Sequence, residues 1–135
     1  MTLSDSDIIA VHQLLSLWGH LLDCRELHRL PEVLTEDATY DARVFGFHVP
    51  SGIPEIVDYL NNGQHALFHH ATNIYVYYDT DGTLCVKSKG IGLLRDNVVS
   101  SVTFYDRLEK GAAGWRIKER VAKIHSTADT AVSEL

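Results

Sequence analysis

His69-His70-Ala71-Thr72-Asn73-Ile74-Tyr75-Val76-Tyr77-Tyr78-Asp79-Thr80-Asp81-Gly82 is where the chain changes texture. β-branched and aromatic residues crowd together and then stop at an Asp-Thr-Asp-Gly turn signal. The same alternation of strand-favouring runs and turn signals continues through Arg95-Asp96-Asn97 and Lys110-Gly111-Ala112-Ala113-Gly114. Four consecutive antiparallel strands are therefore expected from His69 onward. Gly90 and Gly92 fall inside one of them and read as a bulge or sharp bend that would curl the sheet.

Upstream of this meander the period is helical. Ser4-Asp5-Ser6-Asp7 has the spacing of a capping box, with acids suited to the positive end of a helix dipole. Ile8, Val11, Leu14, Leu15, Trp18, Leu21 and Leu22 then recur at steps of three and four, which predicts an amphipathic helix from about Asp5 to Leu22. Arg25 to Leu34 repeats the pattern as a second, short helix, although Pro31 disfavours a helical Leu30. Ala38 to Phe47 reads as extended, a first strand or a hairpin bent near Gly46. A third helix follows on Ile53, Ile56, Val57 and Leu60, with Pro54 in its first turn and Asn61-Asn62-Gly63 as its stop. Helices first and strands afterwards give the α+β class: one domain over residues 1–135, cone-shaped, its N-terminal helices packed on a curved antiparallel sheet that encloses an apolar pocket.

Composition narrows the function. The 135 residues are 45% hydrophobic and 22% charged, with a formal charge of -6. Lys and Arg are scattered, so nucleic acid is not an expected partner. Met1 to Asp7 lacks the basic and apolar regions of a secretory signal, and no apolar run is long enough for a bilayer, so a cytoplasmic protein with no membrane partner is expected. Cys24 and Cys85 fit reduced thiols. No Gly-rich phosphate loop or flavin motif implies a cofactor. His65, His69 and His70 invite a metal reading, but no glutamate motif accompanies them and their spacing would need a helix, so no metal is expected. His20 lies about 60° from Asp23 on the helix, which suits solvent or a subunit contact. His12, His28, His48 and His125 carry no separate signal.

Four local words stand in order along this pattern. They are Trp18 five residues before Asp23, Asp37-Ala38-Thr39-Tyr40, His69-His70-Ala71-Thr72-Asn73, and Gly114-Trp115-Arg116-Ile117 with Arg120. Together they resemble the SnoaL-like branch of the nuclear transport factor 2-like superfamily over nearly the whole chain. Scytalone dehydratase, bile-acid 7α-dehydratase and lindane dehydrochlorinase belong to that superfamily, and the resemblance implies catalytic roles for Asp23 and His69. It also points to Tyr40, Trp18 and Arg120 as substrate-binding residues. Trp18 departs from the pattern, since bile-acid dehydratase has tyrosine there and the hydroxyl is lost.

The residue chemistry agrees in kind. A carboxylate beside histidine fixes its tautomer and steadies the imidazolium formed when it removes a proton. A tyrosine can donate to an oxygen that becomes negative as carbon loses that proton. Each residue also has a plainer reading. Asp23 sits at the margin of the apolar helix face, His69 can be a satisfied strand histidine, and Tyr40 can be packing. Arg120 can pair in solvent with Glu119 or Glu109. Only one of His69 and His70 can face a pocket on a regular strand, and Trp115 and Arg120, an odd number apart, should face opposite sides unless a bulge intervenes.

Two functions follow as expectations. One is a cofactor-independent lyase of dehydratase type, or an isomerase, acting on a small apolar oxygenated molecule such as a polyketide, terpenoid or steroid-like compound. The other is a ligand-binding or oligomerisation module without chemistry. A limonene-epoxide-hydrolase-like reading is weaker, because its Asp-Arg-Asp arrangement has no counterpart. A homo-oligomer, dimer or trimer, is expected from a convex sheet face exposing residues such as Tyr75, Tyr77, Val102 and Phe104, depending on register.

Overall fold

The computed structural model describes residues 2–46, 48–63 and 65–124; His125 and Phe47 lie outside them. Helix α1 spans Asp5–Asp23, with Ser4 as its N-cap accepting from the Asp7 amide at 3.1 Å. The Asp7 carboxylate does not complete a reciprocal box. Its Oδ1 instead accepts from Trp115 Nε1 at 2.7 Å and Lys110 Nζ at 3.0 Å, tying the start of the helix to the far end of the sheet. The apolar stripe is buried as its period requires: Val11, Leu14, Leu15, Trp18, Leu21 and Leu22 are all in the core.

The expected second helix is only a 3₁₀ segment, Leu27–Glu32. Pro31 cannot donate to an α-helical ladder. The Val33 amide reaches Leu30 O at 2.9 Å, and the Val33 carbonyl accepts from Ile117, so the chain turns at once into strand β1, Leu34–Asp41. The extended segment thus begins earlier and ends earlier than its composition suggests. Arg43–Phe45 is a single 3₁₀ turn closed by Gly46 at φ 90°. The chain then returns beside β1, where Thr39 bridges Ser51 antiparallel, before helix α2, Ile53–Asn62, with Pro54 in its first turn.

Strands β2 (Phe68–Tyr78), β3 (Leu84–Leu93), β4 (Val99–Gly111) and β5 (Gly114–Lys123) form the expected antiparallel meander. The sheet as a whole is mixed rather than antiparallel, in the order β1-β5-β4-β3-β2, because β1 lies parallel to β5. A parallel pair needs a long connection, and here residues 42–113, with α2 and three strands between, supply it. The sheet is open, and its concave side packs on α1 through β2 and β5.

The bulges are not at the glycines. Thr72 pairs Lys89 and Tyr75 pairs Lys87, so the extra residue is on β2, beside Asn73 at φ 52°. Through Gly90 and Gly92 the pairing of β3 with β4 is regular. Those glycines serve close packing instead: a Cβ on Gly90 would lie 2.8 Å from Phe104 Cε2, and one on Gly92 would lie 2.9 Å from Ala66 Cβ. A second bulge on β5, between Ile117 and Glu119, resolves the parity of Trp115 and Arg120. Ile117 and Arg120 are both buried on the concave side. Among the described residues, no helix is long and apolar enough to cross a membrane.

Candidate active site

Asp23 is the last residue of α1, and the way the helix stops decides where its carboxylate points. The Arg25 amide bonds Leu22 O at 3.2 Å and the Glu26 amide bonds Leu21 O at 2.8 Å, the paired bonds of a Schellman stop. The left-handed residue of that stop, usually glycine, is Arg25 at φ 59°. Holding a side chain there costs about 1 kcal/mol.

One helical turn earlier, Gly19 lets the helix approach β2. A Cβ at this position would lie 3.1 Å from the His69 carbonyl oxygen. At that close approach His69 meets Asp23 twice. Its backbone N–H donates to Oδ2 at 3.1 Å, and its ring Nδ1 lies 2.7 Å from Oδ1. A carboxylate only accepts, so Nδ1 carries the proton and Nε2 is left as the basic nitrogen. The two side chains are each about a quarter exposed, at 24% and 23%. His70, one residue on, pairs with Ile91 and is exposed, so the choice between adjacent histidines falls on His69.

His69 borders several spaces. Inside the cone is a cavity of about 320 Å³, whose walls include Tyr40, Phe45, Tyr59, Val102 and Phe104 together with His69. Burial pushes the Tyr40 hydroxyl above the ordinary tyrosine range, so it stays protonated and able to donate. Toward solvent, Asp23 and His69 also line a hollow of about 350 Å³ with Arg25, Asn61 and Arg95. His20 stands on another outer face of the pair, in a shallower hollow of about 230 Å³.

Trp18 and Arg120 form a layer behind this wall. Arg120 is bound to Asp106 by two parallel hydrogen bonds of 2.8 and 2.9 Å, and both side chains are almost wholly buried. The guanidinium lies 4.8 Å from the Trp18 ring centre and 4.1 Å from that of Phe104, within cation–π range of both. Trp18 in turn meets Tyr40 edge to face at 5.7 Å. Trp18 and Arg120 border a void of about 30 Å³ beside His69 rather than the apolar cavity. Of the residues singled out from sequence, the fold brings Asp23, His69 and Tyr40 to one place and stacks Trp18 and Arg120 behind it.

Sequence reasoning missed the acidic partner of Arg120 and the apolar walls Tyr59 and Phe104. It offered Val102 and Phe104 for the convex face depending on register, and the register pairs Gly90 with Val102 and Ser88 with Phe104, which turns both inward. A second histidine also borders the site. His65 Nε2 donates to Tyr59 O at 3.0 Å. Desolvation holds this imidazole below the ordinary histidine range, reinforced by His69 and Arg25 and opposed by the Tyr59 carbonyl. Its closeness to His69 in sequence was a signal, but it pointed to a metal. Among the described residues no three His, Cys, Asp or Glu side chains converge as a metal would need.

Comparison with known proteins agrees with this geometry at the level of fold. The model of the SnoaL-like domain family matches residues 5–121. Curated protein sequences give no match. A cystatin-like-fold protein of unknown function from Nostoc punctiforme superposes with a TM-score of 0.77 at 16% identity, covering 94% of this chain and 97% of that one. LinA superposes with a TM-score of 0.72 at 20% identity, covering 92% of each chain. A protein from Novosphingobium aromaticivorans named as a candidate scytalone dehydratase gives 0.68 at 14% identity, covering 90% of this chain and 85% of that one.

Proposed function

The chain belongs to the SnoaL-like domain family, and on that premise we propose that it is a cofactor-independent lyase of dehydratase type, or an isomerase, for a small apolar oxygenated molecule. The observation that carries this reading is the 2.7 Å contact of Asp23 Oδ1 with His69 Nδ1 on the wall of an apolar cavity. Asp23 orients the ring and steadies its charge; His69 Nε2 removes a proton from carbon. Tyr40 donates to the oxygen that becomes negative as that C–H bond breaks. In dehydration the electron pair forms the C=C bond as the β C–O bond breaks, and the proton on His69 passes to the departing hydroxyl, which leaves as water. In isomerisation the same proton returns to another carbon. The scytalone-dehydratase name of one structural neighbour is consistent with elimination chemistry, as is the resemblance of Asp23 and His69 to the superfamily's catalytic pair.

The test is turnover of a panel of apolar β-hydroxycarbonyl compounds, followed by proton NMR for lost water or for exchange of the carbon-bound proton in D₂O. His69→Ala and Asp23→Asn are each expected to lose at least about a hundredfold in rate with an unchanged melting temperature. The double variant should be little worse than either single, since the two act as one unit. Undiminished turnover in folded His69→Ala removes this mechanism. Binding of the panel without turnover or exchange in the wild-type protein favours a ligand-binding module instead.

A further inference from the structure

The outer hollow beside the dyad has a charge opposite to that of the molecule. Overall the chain carries -6, yet this space of about 350 Å³ is lined by two arginines, Arg25 and Arg95, against one carboxylate, Asp23. That carboxylate already accepts two hydrogen bonds from His69. Among the described residues neither arginine forms an ion pair with an acid. Arg25 donates, among the described residues, to uncharged oxygens, Asn61 Oδ1 at 2.8 Å and Leu60 O at 3.4 Å. Arg95 has no hydrogen bond or ion pair among the described residues, although Asp96 follows it in the same exposed turn. Arg29, Arg43, Arg107, Lys118 and Arg120 pair with carboxylates, whereas Arg116 donates to backbone carbonyls away from this hollow.

The backbone adds a second observation. Arg25 stands in the left-handed position of the helix stop, where glycine is favoured, at φ 59°. An arginine there is less favourable for the turn than glycine would be. Asn61, on the last turn of α2, holds that guanidinium on the wall of the hollow through its side-chain oxygen.

We propose that Arg25 and Arg95 form an anion-binding subsite beside the dyad, so that the ligand has an apolar body and a carboxylate or phosphate group. The proposal deepens the reading of the dyad as catalytic by giving its substrate a charged end. His65, Ala66 and His69 line both this hollow and the apolar cavity, so the two spaces meet at the dyad. A molecule seated across that boundary presents its reacting carbon to His69 while its anionic group meets the arginines. The subsite requires no change in the proton-transfer roles of Asp23, His69 and Tyr40.

The experiment is equilibrium binding by calorimetry of three probes with one apolar body: 2-naphthol, 2-naphthoate and 2-naphthyl phosphate. The wild-type protein is expected to bind one or both anions at least about tenfold more tightly than the neutral probe, the order of effect of one charge-assisted hydrogen bond. The stronger of the two identifies the group. Arg25→Gly with Arg95→Gln should remove that preference while leaving 2-naphthol affinity unchanged. The glycine suits the turn, so loss of fold is not the expected cause. Arg95→Gln alone, at an exposed residue with no hydrogen bond or ion pair among the described residues, should lose part of the preference with an unaltered melting temperature. Equal binding of neutral and anionic probes to the wild type overturns the proposal, as does a preference that survives the double substitution. The readout is binding, so either failure leaves the catalytic reading of the dyad to its own turnover test.

Discussion

At the scale of single residues, the most committed position is Arg120. Its charge is buried with Asp106, and removing one partner strands the other in a medium that solvates it poorly. Asp106→Asn is expected to destabilise the protein by about 3–5 kcal/mol, measured by chemical denaturation. Replacing both residues by leucine should cost clearly less than the single change. This pair shows where sequence reading stops. Arg120 was visible as a candidate because of its distance from Trp115, but its partner lies on another strand, and the pairing depends on a one-residue bulge that no local pattern announces. Asp23 and His69 were more legible, since one ends an amphipathic helix and the other opens the meander. Their contact still rests on Gly19, whose missing side chain lets helix and strand approach. That is a tertiary fact about a residue with no side chain to read.

Among elements, helix α1 was the most legible, because its period of apolar residues continues from Ile8 to Leu22, about four turns, without interruption. The 3₁₀ segment was misread for a physical reason: apolar spacing alone does not separate a short α-helix from a 3₁₀ turn, and Pro31 decides it. The attachment of α1 to the sheet has its own acid sensitivity. Trp115 above all, then Ser4 and Lys110, hold the Asp7 carboxyl down to about 2 from an ordinary 3.8. A depressed carboxylate contributes stability that is fully present above the unfolded value and is lost as pH falls through the folded one. Asp7→Asn should therefore lower the melting temperature at pH 7. The gap between variant and wild type should narrow as pH falls from about 4 to about 2; a gap constant across that window in thermal melts would contradict the assignment.

For the whole molecule, the convex face of the sheet bears on assembly. Phe68, Tyr75, Ile91 and Val99 stand on it, from 42% to 68% exposed, and Tyr75 stacks on Tyr77 at 5.5 Å. A monomer that exposes such a row gains by covering it, and a second copy of the same chain offers a matching surface. Sedimentation at high micromolar concentration is expected to give a species heavier than 15.1 kDa, and Tyr75→Glu should return it toward the monomer. A monomer at all concentrations would leave this face without that role. The parallel pairing of β1 with β5 has a further consequence, in time rather than in space. The strand at residues 34–41 has its sheet partner at 114–123, so during synthesis it waits for most of the chain before its ladder can form. Contacts so distant in sequence slow folding. The helical half is thus not an early, self-sufficient unit, and the cone closes only when its last strand arrives.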